Sequence, residues 1–181
     1  MSQKIIIPFG DRNDMLRSVV PDYDFNDPEN DAVKLAHTLI DTIKNEAGAG
    51  LAANQLGIRA RAFVMYSEPM IVAFNPKITY TGEELILMDE GCLSYPGVTI
   101  KIRRPRFIRV RFQDPYGNVC TKKFDGMASR VFQHELDHLD GIEYFTRANT
   151  IHRDRFQRKW KKVTRLVKNH AIKIAKAKQG S

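Results

Sequence analysis

The sequence predicts an α+β fold in which short antiparallel strands pack around a central helix, with one helix before the strands and a long C-terminal helix. Two observations lead to this prediction. Between residues 62 and 124, short runs of β-forming residues are separated by turn residues, as in a half-solvated antiparallel sheet. On both sides of this region, apolar residues recur at helical spacing. We expect one domain over residues 1–181, in which 152–181 form a basic C-terminal helix.

The elements follow in order along the chain. Asp27-Pro28-Glu29 is a typical helix start, and apolar residues repeat at helical spacing until Gly48, which predicts a first helix of about twenty residues. Helical spacing returns over Gly126–Leu139 and again over about 152–177, which predicts the second and third helices. Six runs between the first and second helices are predicted strands: 62–66, 71–74, 84–88, 98–103, 107–112 and 119–124.

Length and composition limit the classes of protein. A chain of 181 residues that is 43% hydrophobic and 28% charged can bury a core of its own. No apolar stretch approaches the roughly 18 residues of a membrane span, and the first residues lack the longer apolar region of a secretory signal. We therefore expect a cytoplasmic protein with no membrane partner, a monomer by default, whose Cys92 and Cys120 are reduced.

The second predicted helix, central to the fold, contains the HExxH sequence His134-Glu135-Leu136-Asp137-His138. At this spacing the two histidines lie one turn apart on the same helix face, so both can bind one metal ion. Glu135 is near enough to reach a metal-bound water without being a ligand, which suits an acid/base role. The alternative is a structural metal site, in which a fourth protein ligand occupies the position that water would need.

Cys92 is the candidate for a third ligand. It lies among Gly and Pro residues in the segment 90–97, after a predicted strand, so a sheet edge or loop could present its thiolate to the helix. A lone cysteine is also common as a small core residue, and both interpretations stay open at this point. The core interpretation is kept for Cys120, which has no His or Cys near it in its predicted strand.

A glycine-rich segment, residues 48–55, follows the first predicted helix. Its glycines permit close approach of another backbone, and the side chain of Gln55 could polarise a substrate carbonyl as an oxyanion donor. The same residues also suit a helix C-terminal cap and a tight packing turn, so the segment alone does not decide between the two.

Taken together, three segments resemble the signature motifs of the peptide deformylases: Gly-x-Gly-Leu-Ala-Ala-x-Gln at 48–55, Glu-Gly-Cys-Leu-Ser at 90–94 and Gln-His-Glu-x-Asp-His at 133–138. The resemblance spans about residues 30 to 146. It implies a hydrolase that removes the N-formyl group from the initiator methionine of nascent polypeptides and releases formate.

The resemblance also implies a role for each matched residue. Cys92, His134 and His138 would bind the metal, with Fe(II) the ion expected in the cell and Zn, Ni or Co able to occupy the site. Glu135 would be the general acid/base while metal-bound hydroxide attacks the formyl carbon. The Gln55 side chain and the backbone N–H of Leu93 would stabilise the oxyanion.

Substrate-binding residues are implied in the same way. The substrate backbone would pair like a strand with Ala49, Gly50 and Gly91, and Glu90 also belongs to the substrate-binding set. A pocket for the methionine side chain would be lined by Ala49, Met88, Met127, Arg130 and Val131. The residues themselves agree in part, because Met127 and Val131 fall on the helical stripe that carries the two histidines, although core packing explains an apolar stripe equally well.

The charge of the chain is concentrated at its C-terminal end. Residues 151–181 contain 11 Lys or Arg and one acidic residue, against 18 and 20 in residues 1–150. A solvated helix face is one interpretation, and a polyanion partner is the other. Some bacterial deformylases carry a basic C-terminal helix that contacts ribosomal RNA near the exit tunnel, so the resemblance implies the ribosome as a partner.

Two other functions are kept as alternatives. A zinc peptidase also uses HExxH, although such enzymes commonly take the third ligand from His or Glu instead of Cys. An RNA-binding module with a closed structural metal would have no need of Glu135. Replacement of Glu135 by Gln therefore distinguishes a catalytic site from a structural one.

Overall fold

The computed structural model describes residues 14–46 and 48–179. Within these residues the α-helices and strands are α1 (Ala32–Lys44), β1 (Gly50–Ala52), β2 (Ala62–Met65), β3 (Ile71–Thr81), β4 (Leu85–Gly91), β5 (Thr99–Pro105), β6 (Phe107–Gln113), β7 (Val119–Asp125), α2 (Gly126–Leu139) and α3 (Thr150–Gln179). Short 3-10 helices occupy Asp14–Arg17, Ala53–Leu56 and Tyr144–Arg147. The predicted α+β class, with a helix before the strands and one after them, is confirmed. A single domain over the whole chain stays a prediction.

The strands form two antiparallel sheets. The larger sheet has the order β1-β2-β3-β6-β7, so β1 and β7 are its edge strands, and the smaller sheet is the hairpin β4-β5. On β5, buried and exposed residues alternate, and Ile100, Ile102 and Arg104 share the buried face. The segment that joins β4 to β5 contains Cys92.

Helix α2 contacts strands of both sheets. Phe132 and Leu139 on this helix are fully buried in a cluster with Phe63 and Ile108, and the rings of Phe63 and Phe132 meet edge to face at 5.0 Å. Each buried side chain of this size stabilises the fold by about 1.5–3 kcal/mol. The helix is therefore fixed by core packing, and the site residues that it carries are fixed with it.

The first helix is shorter than predicted. Helix α1 begins after Asp31, whose side chain accepts a hydrogen bond from the backbone N–H of Lys34 at 2.8 Å. The Asp27 side chain instead accepts from the N–H of Glu29 at 2.9 Å, which forms a local turn before the helix. Asp27-Pro28-Glu29 was therefore the wrong start, because the Asp27 side chain satisfies a turn in place of a helix N-terminus.

Two strands depart from the prediction. Strand β1 was not among the predicted strands, because three residues are too few to show a periodic pattern. Strand β3 was expected to end at Phe74, before Asn75 and Pro76, but it continues to Thr81. Asn75 has a positive φ of 48°, and the pairing of β3 with β6 shifts register between Phe74 and Lys77. This bulge accommodates the proline within the strand.

The start of α3 is part of the core. Phe156 is only 2% exposed and lies in a cluster with Tyr95, Tyr144, Ile100 and Ile102. Trp160, one turn later, packs on Tyr95 with ring centroids 5.0 Å apart. No helix of the described chain is long and apolar enough to span a membrane.

Candidate active site

Three potential metal ligands from two parts of the fold meet at one point. His134 and His138 lie one turn apart in α2, and Cys92 comes directly after the last residue of β4. Their ligand atoms all lie within 4.8 Å of one another, and Cys92 Sγ is 3.2 Å from His138 Nε2. The structure therefore brings together the three residues that the sequence suggested as ligands.

These donors fit a tetrahedral divalent ion. Zinc bonds of about 2.3 Å to sulfur and about 2.0 Å to nitrogen place neighbouring donors roughly 3.5 Å apart, within the range of separations at this cluster. Among the described residues, the cluster comprises these three side chains and no fourth ligand. A bound ion would keep one position for water, as in catalytic sites and unlike closed structural sites.

Glu90, on the buried face of β4, orients His134. Its Oε2 lies 3.2 Å from His134 Nδ1, so a proton on Nδ1 leaves Nε2 as the metal-binding nitrogen. Burial would raise the pKa of the Glu90 carboxyl, but hydrogen bonds with His134 and Arg104 lower that pKa to about 2. The carboxylate is therefore ionised at neutral pH and fixes the ring orientation of His134.

Arg104 connects Glu90 to a second buried carboxylate. Its Nε and Nη2 donate to the two oxygens of Glu90 at 2.7 and 3.0 Å, and its Nη1 donates to Asp137 Oδ2 at 2.8 Å. Asp137 Oδ1 accepts from Arg147 Nη2 at 2.7 Å. Because Asp137 is buried between the two histidine positions of α2, this chain of ion pairs fixes the metal helix against β5.

The cysteine and the histidines alter each other's protonation. Burial would raise the pKa of the Cys92 thiol, yet the charge and hydrogen bonds of His138 and His134 lower that pKa to about 5. Burial would lower the pKa of His134, but hydrogen bonds with Cys92 and Glu90 raise it to about 10. The cluster favours the thiolate that a metal requires, and metal binding would displace the proton held on His134.

Glu135 lies beside the cluster and is 3% exposed. Its Oε2 is buried and has no hydrogen-bond partner among the described residues. Burial is the largest effect on its carboxyl and raises the pKa to about 7, although His134 and His138 oppose the shift. A carboxyl with a pKa near the working pH can both accept and donate a proton, so Glu135 has the properties of a general acid/base.

The side-chain amide of Gln55 is held in one orientation. Its Oε1 accepts from the backbone N–H of Ala52 at 2.9 Å, and its Nε2 donates to Ser94 Oγ at 3.1 Å and to Cys92 Sγ at 3.6 Å. The amide nitrogen therefore faces the metal cluster. The backbone N–H of Leu93, next to Cys92, donates to no acceptor in the described part of the chain. Both groups are N–H donors of the kind that an oxyanion site requires.

A cavity of about 500 Å³ opens at this cluster. Most of the predicted site residues line it: Ala49, Gly50, Gln55, Glu90, Gly91, Cys92, Leu93, Met127, Arg130, Val131, His134 and Glu135. Two do not. His138 contacts Cys92, and Met88, predicted for the methionine pocket, is half-buried on β4, but neither is a lining residue of the cavity.

The backbone of β1 offers one free edge beside the acid/base. The Ala49 carbonyl accepts from the N–H of Tyr66 at 2.8 Å, so that carbonyl is already used by the sheet. Hydrogen-bonded and free positions alternate along an antiparallel pair, so Gly50, opposite Met65, directs its N–H and C=O to the other side. A Cβ on Gly50 would lie 2.5 Å from Glu135 Oε1, so only glycine fits there.

Glu90 and Arg130 line the cavity, but their charged groups are already paired. Arg130 Nη1 donates to Glu90 Oε1 and to the carbonyl of Ile102, and its Nη2 donates to the carbonyl of Ile86 at 2.7 Å. Both were predicted as substrate-binding residues. Their paired groups support the wall and the orientation of His134, while Arg130 Nε is buried without an acceptor among the described residues. Their contact with a substrate stays a prediction.

Sequence analysis missed the ion pairs that join Arg104 and Arg147 to Asp137 behind the site. Arg104 could have been recognised as a buried charge, because it lies on the same face of its strand as the apolar residues Ile100 and Ile102. Asp137 lies between the two histidines in sequence, so its position on the helix could be predicted. Its ion-pair partners could not. Arg147 gave no local signal, because only the folded chain brings it to Asp137.

Known proteins are similar to this chain in both sequence and fold. The family model described as polypeptide deformylase matches residues 4–154. A peptide deformylase of Thermotoga maritima is 36% identical over 136 residues, which cover 75% of this chain and 83% of that protein. A peptide deformylase of Synechocystis is 39% identical over 122 residues, and the match spans 64% of this chain and 65% of that relative's length.

Solved structures agree with these matches. The crystal structure of the peptide deformylase from Thermotoga maritima has a TM-score of 0.75 and 35% identity, and the match covers 82% of this chain and 99% of that one. Peptide deformylase 1B from Arabidopsis thaliana, solved in complex with an inhibitor, has a TM-score of 0.80 and 27% identity over 91% of this chain and 92% of its own.

Proposed function

The chain belongs to the peptide deformylase family, and we propose that it removes the N-formyl group from the initiator methionine of nascent polypeptides and releases formate. One observation carries the proposal. Glu135, a buried carboxyl without a hydrogen-bond partner among the described residues, lies in the same cavity as two of the three convergent metal ligands. A purely structural metal site has no use for such a group.

A divalent metal held by Cys92, His134 and His138 would supply a Lewis acid that lowers the pKa of a water molecule towards neutrality. Glu135 takes a proton from the attacking water as the new C–O bond forms at the formyl carbon. Glu135 then returns this proton to the amino nitrogen as the C–N bond breaks. The products are formate and a free amino terminus, so atoms and protons balance.

Gln55 and Leu93 stabilise the negative charge that develops on the formyl oxygen. The Gln55 amide is already oriented by Ala52 and Ser94, so it loses little freedom when it donates. Preorganised N–H donors of this type stabilise a transition state by about 2.7–4 kcal/mol each. The free edge of Gly50 pairs with the substrate backbone, and the apolar side chains of Met127 and Val131 form one wall of the methionine pocket.

The metal in the cell is Fe(II) in this proposal, and Zn, Ni or Co can occupy the same site. One thiolate and two imidazoles suit both Fe(II) and Zn(II), so availability in the cell decides which ion is loaded. The structure supports this proposal through the three donor side chains and the short distances between their ligand atoms.

Formate release from formyl-Met-Ala-Ser tests the function. The protein is purified anaerobically with Fe(II) and compared with its Glu135→Gln variant at equal metal content. We expect release by the wild type and a loss of about 100- to 10,000-fold in the variant, the range for removal of a general acid/base. No release by a folded, metal-loaded wild type would refute the proposal. Cleavage of internal peptide bonds instead would favour a zinc peptidase, and a metal-loaded protein with neither activity would favour an RNA-binding module.

The ribosome is the proposed partner of α3. Cationic side chains cover the outside of its described part, while Phe156 holds its start in the core. The exposed cations are Arg155, Arg158, Lys159, Lys161, Lys162 and Arg165. Such a surface binds RNA phosphates through release of counterions, so the affinity should fall steeply with salt.

A further inference from the structure

A second cavity adjoins the candidate active site on the side of α1. Its volume is about 450 Å³, and Glu46 and Gly48 belong to the walls of both cavities. We propose that this second cavity, the downstream pocket, binds an apolar side chain at the fourth or fifth residue of the substrate peptide. The proposal rests on the deformylase function proposed above. The apolar lining residues of the pocket are Ile40, Ile43, Tyr66, Pro69 and Met70, and Lys44, Glu46, Gly48, Ser67 and Glu68 line the rest.

The lining of the downstream pocket determines the chemistry of its ligand. Ile43 is 1% exposed, and Ile40 and Met70 are half-buried against the same core cluster, so the floor is apolar and firmly supported. Tyr66 stands on one side with 63% of its surface exposed. Charged groups occur at the rim, where Lys44 and Glu68 also line the cavity. An apolar floor with a charged rim favours an aliphatic or aromatic side chain whose backbone stays in water.

A substrate strand that pairs antiparallel to β1 would run from the catalytic cavity towards the downstream pocket. Gly50, the first residue of β1, lies beside Glu135, and Gly48 and Glu46, which precede it in the chain, line both cavities. A substrate strand antiparallel to β1 advances about 3.3 Å per residue. Strand β1 begins only at Gly50, so strand pairing with it ends there. A substrate whose methionine lies level with Gly50 extends roughly 10–13 Å beyond it at its fourth and fifth residues. Gly48 and Glu46 lie on that side, at the entrance to the downstream pocket.

Gly48 lies where the walls of the two cavities meet. A Cβ at this position would lie 2.8 Å from Leu93 Cδ1 and 3.1 Å from Ile43 Cδ1. Leu93 lines the catalytic cavity, and Ile43 lines the downstream pocket. The side chains of Leu93 and Ile43 therefore meet over Gly48 and form the boundary between the two cavities. The N–H of Tyr66 bonds the carbonyl of Ala49, which fixes the wall of the pocket directly to the segment that the substrate follows.

Peptide length and side chain test the proposal. The values of kcat/KM are compared for formyl-Met-Ala-Ser, for its extension by Gly-Gly, and for extensions in which Leu replaces either glycine. We expect one Leu peptide to exceed the Gly-Gly peptide by about fivefold, mainly through KM, because part of a leucine side chain leaves water. Tyr66→Ala should abolish this gain without changing the rate on the tripeptide, and Tyr66→Phe should retain it.

The controls separate this proposal from the function on which it rests. Tyr116→Ala removes another exposed aromatic, 77% exposed in the turn between β6 and β7, and should leave every rate unchanged. Normal turnover of the tripeptide with equal rates for the Leu and Gly-Gly peptides would overturn the downstream pocket alone, as would a gain that survives Tyr66→Ala. Absence of turnover on every formyl peptide would overturn both proposals.

Discussion

Gly50 shows how one missing side chain can set the position of a catalytic group. The Cβ of an alanine at this position would lie 2.5 Å from Oε1 and 2.8 Å from Cδ of Glu135. The carboxyl would have to move, although the surrounding core would not. We expect Gly50→Ala to lower kcat/KM for formyl-Met-Ala-Ser by about 100-fold, the effect of displacing a reacting group by roughly 1 Å.

Gly82→Ala is the matched control for this prediction. Its Cβ would have its nearest neighbours at 3.4 Å, on Phe107, which is an ordinary van der Waals contact. Both variants should unfold at urea concentrations close to that of the wild type. Equal activity of the two alanine variants would mean that Glu135 is not held by Gly50, and the proposed geometry of proton transfer would be wrong.

Arg104 is predicted to matter for stability because two buried carboxylates depend on it. Arg104→Leu would leave Glu90 and Asp137 without their shared partner, and breaking a buried ion pair costs about 3–5 kcal/mol. The free energy of unfolding in urea measures the loss. Arg106→Leu removes an exposed arginine that pairs with Glu84 and Asp125, and this variant should unfold close to the wild type. Equal losses in the two variants would contradict a special role for the buried network.

At the scale of elements, α3 has two parts with different roles. Its start belongs to the core through Phe156, whose cluster also contacts Cys92. We expect Phe156→Ala to lower the free energy of unfolding by about 3–5 kcal/mol, as for other large aromatic truncations in a core. Val167→Ala, at a position 61% exposed on the same helix, should have little effect and serves as its control. Similar losses of unfolding free energy in the two variants would mean that α3 packs against the core beyond its start.

This division decides how ribosome binding should be tested. Deletion of residues 152–181 would remove Phe156 and Trp160 from the core, so loss of binding could simply follow from unfolding. Replacement of Lys161, Lys162 and Arg165 by Gln removes three exposed charges and leaves the docked turns intact. We expect this variant to co-sediment with ribosomes more weakly and with a shallower salt dependence, while formate release from short peptides is unchanged. Unaltered co-sedimentation would argue against α3 as the contact.

At the scale of the whole molecule, the metal should couple to folding. Its ligands come from α2 and from the segment after β4, so a bound ion joins the metal helix to the small sheet. A ligand present at 100 times its Kd stabilises by about 2.7 kcal/mol, which corresponds to roughly 5–10 °C in the melting temperature of a chain this size. We expect a chelator to lower the melting temperature by this amount. Cys92→Ala should melt at the same temperature with and without chelator; a persisting response would place the stabilising ion elsewhere.

The sequence predicted what short patterns encode. The two histidines and Glu135 fall on one helix at fixed spacing, and α2 has the predicted bounds, Gly126–Leu139. The sequence did not predict β1, whose three residues are too few for a period, or the true start of α1, because Asp27 and Asp31 are both good caps and tertiary packing selects between them. The pairing of Arg104 and Arg147 with Asp137 joins residues that only the fold brings together.

The two edges of the larger sheet differ in how they are protected. Strand β7 carries Lys122 and Lys123 along its exposed length, and such charges discourage pairing with other chains. Strand β1 has no charge of its own, and its free edge opens into the catalytic cavity. A chain can pair there only while it is extended, since a helix has already used its amides. The protein would therefore select its substrates by timing as well as by sequence, acting on amino termini that have not yet folded.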